Sequence, residues 1–354
     1  MDFALSSEQA LIKDSVERYV VDRSSAARGD DWKTFAALGW LGIGAPEEAG
    51  GFGGPVETLL LMEAFGRGLV AAPYLSQAVF AGSLLRHAGS IDRLQRLVDG
   101  AERFTVAYEE PRARYDPSLL ETSATIDGSS YVLRGRKIRV LDAESAGTFL
   151  VSARSANGVT MLAVPREAAG VSVRERATED GRSAADVRFE DVRVEADGLV
   201  GERGGGLEPL ERALDCAIAA LCAEALGVMS VMHEMTLEYL KARTQFGVAI
   251  GSFQALQHRM ADMFVELELA RSMAYVAALT LEGATGSAAR KRGISGAKVQ
   301  IARSGRFVGQ NAIQLHGAIG MTEEYRLGGY FKRMTTLERL FGDADYHLAR
   351  YVAS

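Results

Sequence analysis

Cysteine, proline and histidine are scarce in this chain, at two, seven and five of 354 residues. Cys216 and Cys222 stand six apart within an apolar helical stretch, which excludes a CxxC pair and a thiolate metal set and points to buried structural thiols. There is no HExxH word and no His–Cys grouping, so no metal site is expected; His258 and His316 fall on helical stretches and His347 in the tail. A basic excess is also missing: Lys and Arg number 40 against 46 Asp and Glu, a net charge of −6 with no basic block, which argues against a nucleic-acid partner. No run of about 18 apolar residues occurs, so no membrane insertion is expected. The opening segment Met1 to Gln9 lacks the basic start and apolar stretch of a secretory signal, and a cytoplasmic protein is the expectation. Nucleophile-elbow serine, P-loop and dinucleotide fingerprints are all absent, which disfavours hydrolase, NTPase and NAD-enzyme readings.

What is present is a 47% hydrophobic chain long enough for two or three domains. From Ser6 to about Ala101 the apolar spacing is helical, with Ser6 or Ser7 as N-cap and Leu11, Ile12, Val16, Tyr19 and Val20 as the first apolar face. Glycine clusters at Gly39–Gly44 and Gly50–Gly54 read as tight loops, since they lack the strand-to-helix context of a phosphate cradle. Between Phe104 and Arg203 the period shortens to β-type runs such as Tyr131–Leu133, Thr148–Val151, Thr160–Val164 and Asp186–Phe189. Asp127-Gly128, Asn157-Gly158 and Asp180-Gly181 separate them and predict hairpins. After Gly204-Gly205-Gly206 long helices are predicted over Leu207–Lys241, Phe253–Glu282 and Ala288–Leu315, with Met229, Met232 and Met235 packing inside.

Two words in the last third carry more than periodicity. Arg243-Thr-Gln-Phe-Gly247 and Gln314-Leu-His-Gly-Ala-Ile-Gly320, with Leu38–Gly42, Pro46–Gly54 and Glu63–Arg67 upstream and Met1-Asp-Phe with Glu8-Gln9 at the start, resemble the acyl-CoA dehydrogenase family over essentially the whole chain. That family oxidises acyl-CoA thioesters between Cα and Cβ using FAD. The resemblance implies an α+β fold with an N-terminal helical domain (1–103), a middle β-barrel or sandwich domain (104–203) and a C-terminal four-helix bundle (204–354). It also implies that Arg243, Phe246, Gln254, Gln314 and Gly317 contact the ADP side of a FAD shared across a subunit interface. A diphosphate partly removed from water needs a fixed guanidinium that pairs with two oxygens. The plainer alternatives are an arginine making a surface ion pair at a helix end, and glycines that merely cap a helix.

Elsewhere the family pattern is broken. The usual glutamate base falls 27 residues beyond Gln314, at Phe341, and the variant position 26 residues before Arg243 is Ala217. Neither side chain can take a proton; Glu211, six residues before Ala217 and more than one and a half helical turns away, reads as a solvated or interfacial carboxylate. The family's small-residue segment beside the flavin is Tyr108-Glu-Glu-Pro-Arg-Ala-Arg-Tyr-Asp116 here. Its Lys-x-Trp-Ile-Thr is Lys137-Ile-Arg-Val-Leu141, so the ring-packing tryptophan is Arg139 and the threonine is Leu141. Arg112, Arg114, Arg134, Arg136, Lys137 and Arg139 offer either a positive face for CoA phosphates or a solvated strand edge. This combination resembles the small subunits of two-component acyl-CoA dehydrogenases, including that of pimeloyl-CoA dehydrogenase. It implies an acyl-CoA substrate and a larger catalytic partner subunit in a heterotetramer. A homo-oligomeric flavoenzyme with another base, and a scaffold that keeps the fold without electron transfer, are the competing expectations.

Overall fold

A computed structural model describes residues 5–25, 31–283 and 286–354; the Met1-Asp-Phe word lies outside the described residues. The first part is helical: α1 (Ser7–Ser25), α2 (Asp31–Ala37), α3 (Pro55–Gly68), α4 (Gly82–His87) and α5 (Ile91–Val98), with a π-helical stretch Tyr74–Ala81 leading into α4. Eight strands follow: β1 (Phe104–Ala107), β2 (Ser123–Asp127), β3 (Ser130–Leu141), β4 (Thr148–Ser155), β5 (Gly158–Pro165), β6 (Val171–Ala177), β7 (Ser183–Val194) and β8 (Leu199–Val200). The remainder is α6 (Leu207–Ala242), a small hairpin of β9 (Thr244–Gln245) and β10 (Val248–Ala249), then α7 (Gln254–Glu282), α8 (Ser287–His316), α9 (Leu327–Arg339) and α10 (Ala344–Ala353). The architecture is an N-terminal helical region, a middle β-sheet domain and a C-terminal helical domain. These segments gather into two compact units, one of Met1–Ala27, Pro55–Val70 and Ile218–Ser354, the other of Arg28–Gly54 and Ala71–Ala217.

In the unit holding the β domain, one sheet runs β6-β7-β3-β2-β4-β5-β8, with β1 added on β4. All three Asx-Gly pairs lie at antiparallel connections, β2 to β3, β4 to β5 and β6 to β7. Two pairings are parallel: β1 lies beside β4 over four residues, and β2 meets β4 at Ser123 and Arg154. Leu133, Val140, Phe149, Val151, Leu162, Val187, Phe189 and Val192 form the apolar layer of the sheet, each at most 2% exposed. The glycine loop before α3 is closed on itself: Ile43 bridges Phe52, and a Cβ on Gly51 would lie 2.2 Å from the Ala45 carbonyl oxygen.

In the helical unit, α1 opens with a capping box. Ser6 Oγ accepts from the Gln9 N–H at 3.2 Å while the Gln9 side chain accepts from the Ser6 N–H at 3.0 Å. Its inward face is Ile12, Val16 and Tyr19; Leu11, expected on that face, is 66% exposed, because neighbours in sequence point about 100° apart on a helix. α3 crosses α6 at van der Waals contact: a Cβ on Gly66 would lie 2.0 Å from the Glu224 carbonyl oxygen, and one on Gly227 2.0 Å from that of Glu63. α6 is apolar enough to cross a membrane by composition, yet 89% of its most apolar window is buried, as befits a core helix. Met229 and Met232 lie in that core and Met235 is half-buried.

One charge pair lies inside this core. Glu224 on α6 and Arg333 on α9 meet in a fork, Nε to Oε1 at 2.8 Å and Nη2 to Oε2 at 2.7 Å, with side chains 2% and 5% exposed. Removing one member strands a buried charge. Arg333→Met is expected to lower the unfolding free energy by about 3–5 kcal/mol, and adding Glu224→Leu to recover most of it, measured from urea midpoints. Equal destabilisation in the single and double variants would contradict this account.

Candidate functional site

The chain reverses immediately after α6. The Ile250 N–H donates to the Arg243 carbonyl at 2.8 Å and closes the base of the β9–β10 hairpin, whose register pairs Thr244 with Ala249 and Gln245 with Val248. The two turn residues, Phe246 and Gly247, have φ of +54° and +80°. This is the type I′ combination that Asn-Gly normally supplies. Phenylalanine in the left-handed region costs about 1–2 kcal/mol, and burial does not offset it, because Phe246 is 91% exposed. Arg243 is exposed at the hairpin base, and among the described residues its guanidinium has no hydrogen bond or ion pair.

The other residues singled out by the motifs gather around this arm. Phe253 stands edge-on to Phe246 at 6.3 Å, just before the exposed Gln254 at the start of α7. Tyr239, one turn before Arg243, stacks on His316 at 4.5 Å and 24°, two residues after Gln314. The ends of α6 and α8 are thereby held side by side. His316 is buried, bonded through Nδ1 to the Ala312 carbonyl at 2.8 Å and through Nε2 to the Tyr325 hydroxyl at 3.2 Å. Burial pushes its pKa down, against the hydrogen bond to Ala312. Gln314 is exposed, and Gly317 ends α8 with φ +66° and ψ −144°, a conformation essentially confined to glycine. A Cβ there would meet nothing within 4 Å, so within the chain this glycine answers to backbone conformation, not to crowding. Tyr239, His316 and Tyr325 were not singled out as a clamp from sequence; the spacing of Tyr239 one helical turn from Arg243 is the signal that was available.

The β-domain segments show the opposite character. Lys137 is fully buried, with Nζ donating to Glu110 at 2.7 Å, to Ser152 Oγ at 3.0 Å and to the Tyr108 carbonyl at 3.2 Å. Burial lowers its pKa to about 8 against the pull of Glu110. Burial works against the Glu110 carboxylate as well, but Lys137 and the N–H groups of Glu121 and Thr122 prevail and hold it below the usual range. Next to it, Glu109 accepts from Arg139 Nε at 2.6 Å and from the Tyr108 hydroxyl at 2.9 Å, while burial pushes its pKa up. Arg139 has φ +50°, within an irregularity of the β3–β7 register between Lys137 and Val140, and its guanidinium lies 5.2 Å from the centre of the Tyr115 ring. Arg114 and Tyr115 also have positive φ, +42° and +73°. Bulges re-aim side chains, and here the re-aimed arginine fills the space with its own ion pair. Arg112, Arg134 and Arg136 are likewise paired, with Glu121, Asp191 and Asp186, so of the two readings of these cations the charged strand edge suits these three better than an open anion face.

Comparison with known proteins decides what this arrangement is related to. Acyl-CoA dehydrogenase N-terminal, middle and C-terminal domain models match residues 6–100, 105–192 and 204–353. The chain belongs to the acyl-CoA dehydrogenase family. A relative named acryloyl-CoA reductase (NADH), from Anaerotignum propionicum, is 28% identical over 98% of this chain and 94% of its own length. Among solved structures, the ChsE4–ChsE5 complex from Mycobacterium tuberculosis superposes with a TM-score of 0.88 at 26% identity, over 100% of this chain and 98% of the other. An FAD complex of PigA gives 0.90 at 26%, over 100% and 98%.

As an acyl-CoA dehydrogenase the chain is unusual where a base is expected. Phe341 is 4% exposed with φ +59°, and Ala217 is fully buried. Glu211 is half-buried and Asp215 fully buried; neither lacks partners within the chain. The Phe341 turn is held by His347, whose Nε2–H donates to the Phe341 carbonyl at 3.1 Å while Nδ1 accepts from Ser295 Oγ at 3.3 Å. One donor and one acceptor satisfy a neutral imidazole. Burial, reinforced by Lys298, lowers the His347 pKa to about 3. Below the ordinary 6.5 the unfolded chain therefore takes the proton first, and the stability contribution, complete above pH 6.5, is lost as pH falls toward 3. The loss is about 1.4 kcal/mol per pH unit in that window. His347→Leu is expected to flatten this slope in urea unfolding across the window, whatever its effect at neutral pH; an unchanged slope would contradict a neutral buried imidazole.

Proposed function

We propose that this chain is the small subunit of a heteromeric FAD-dependent acyl-CoA dehydrogenase, oxidising an acyl-CoA thioester between Cα and Cβ only together with a larger catalytic subunit. Its part is to present Arg243, Phe246, Gln254, Gln314 and Gly317 to the ADP side of the partner's FAD. The observation that carries this reading is the hairpin arm, with an unpaired guanidinium at its base and an exposed phenylalanine at its strained tip. Such a device makes sense when something from outside covers it.

Two further observations support the division of labour. The residues that correspond to the family's flavin-ring contacts are committed to the Glu109–Arg139–Tyr115 cluster, which does not fit an isoalloxazine, so no chemical step is assigned to this chain's own β domain. The two expected base positions are apolar. α7 also carries an exposed apolar surface of Phe264, Val265, Leu269 and Val276, the kind of patch that marks a contact with another protein. In the ChsE4–ChsE5 neighbour two different chains form a complex, and the same arrangement is inferred here. FAD, when bound in the assembly, supplies the hydride acceptor; this chain supplies anion contacts and the fixed ends of α6 and α8.

In the coexpressed complex, Arg243→Ala is expected to weaken FAD by roughly ten- to a hundredfold, the worth of a charge-assisted hydrogen bond of about 1.5–3 kcal/mol, read from flavin content and acyl-CoA oxidation. Unchanged flavin and activity would sink the donated-arm reading. Phe246→Gly separates strain from function. Alone, the chain should be as stable or up to about 1 kcal/mol more stable, because glycine adopts positive φ freely. In the complex, flavin retention should fall; unchanged retention there, or a destabilised isolated chain, would point to a merely structural tip.

A further inference from the structure

We propose that Cys216 is a nucleophilic thiol and a site of covalent modification by conjugated carbonyl compounds, set up by Arg86 and His87 and distinct from the flavin arm. Both cysteines lie on α6, but their surroundings differ. Cys222 is fully buried, and burial pushes its thiol up to about 12, which makes it inert. Cys216 is partly exposed.

Its neighbours come from the end of α4. Arg86 Nη2 lies 3.7 Å from the Cys216 sulfur and 3.0 Å from His87 Nε2, and that same imidazole nitrogen lies 4.0 Å from the sulfur. With Arg86 as donor, His87 Nε2 presents its lone pair toward the guanidinium and the sulfur, and can accept the thiol proton. The guanidinium is fixed by a hydrogen bond to the Gly44 carbonyl, which leaves its charge beside the sulfur. Its Nε–H is buried and has no hydrogen-bond partner in the structure, so the guanidinium is not fully satisfied by its present neighbours. On α6 the adjacent ionisable groups are Arg212, one turn earlier and exposed, and the buried Asp215. A cation and a proton acceptor touching one thiol are the two features that raise thiolate content. These contacts lie within one compact unit and do not depend on the proposed partner subunit.

The step balances without an oxidant. The S–H proton moves to His87 Nε2 and Arg86 shifts its donor to the sulfur. The thiolate then forms an S–C bond at the β-carbon, the C=C π pair moves to the α-carbon, that carbon takes a proton from water, and the hydroxide formed takes the proton back from His87, so that S–H has added across C=C and nothing leaves. Conjugated carbonyls suit a soft sulfur nucleophile on a partly exposed residue.

The test is N-ethylmaleimide addition to the native full chain, followed by intact mass and peptide mapping over a range of pH. One adduct is expected, at Cys216, with Cys222 untouched. Arg86→Met should move the midpoint of the pH–rate profile upward and slow addition at neutral pH by about threefold per unit of thiol pKa, since the tenfold loss of thiolate is partly offset by greater intrinsic nucleophilicity. Arg86→Lys should retain most of the rate. Adduct at Cys222 in a variant reports unfolding; should Arg86→Met unfold, His87→Ala is expected to slow Cys216 addition in its place. A native chain that takes no adduct at Cys216, or folded variants with the rate and pH profile of the parent, would overturn the proposal.

Discussion

A charge withdrawn from water must meet its opposite, and much of this molecule is arranged to satisfy that requirement. Inside the helical unit it fixes α9 against α6 through Arg333 and Glu224. Inside the β domain it ties Lys137 to Glu110 and Arg139 to Glu109. Set against these, Arg243 is conspicuous: a cation at a rigid helix end, without a partner among the described residues, on a hairpin whose turn is strained. With the strained turn beside it, this exposed cation is the feature on which the proposed contact with another subunit rests.

The same constraint accounts for the asymmetry between the two halves of the cofactor pattern. Replacing small residues and a tryptophan by Arg114, Tyr115 and Arg139 does more than remove contacts, because Arg139 recruits Glu109 and covers Tyr115. The change is self-consistent and leaves no buried charge unpaired there. At the far end of the helical unit the Tyr239–His316 stack and the Gly317 cap hold the α6 and α8 ends together, so the motif residues remain on a common, exposed end. On the proposed function, loss on one side and retention on the other follow from different chemistry: the ring side is filled by internal ion pairs, whereas a diphosphate calls for a cation with no partner of its own.

Much of the fold was legible in the sequence because its signals are local. The three long helices differ from their expected ends by one residue or less, since the 3.6-residue period runs unbroken between glycine-rich ends. The Asx-Gly pairs mark the hairpins because Gly128, Gly158 and Gly181 supply the positive φ that these connections use. The parallel pairings of β1 and β2 with β4 were not legible, because they join segments with no shared turn. Leu11 was misplaced by treating adjacent apolar residues as one face. Within the candidate site, Arg243 and Gln314 were found by their words, but the positive φ of Phe246 could not be, since phenylalanine carries no turn signal. The arginines of β3 were read as a possible anion face because sequence shows charges and not their partners; Asp186, Asp191 and Glu109 lie from 30 to 57 residues away from the arginines they pair with. Cys216 was expected to be buried with Cys222 but is partly exposed, beside Arg86 of α4.

The central claim is that this chain contributes to a flavin site without containing one. The most direct measurement is the visible spectrum and the FAD-to-chain ratio of the protein produced alone. The account predicts a nearly colourless preparation with flavin far below one per chain. A yellow protein holding about one FAD per chain in the absence of any partner would contradict it, and would require a ring site that the Glu109–Arg139 pair does not close.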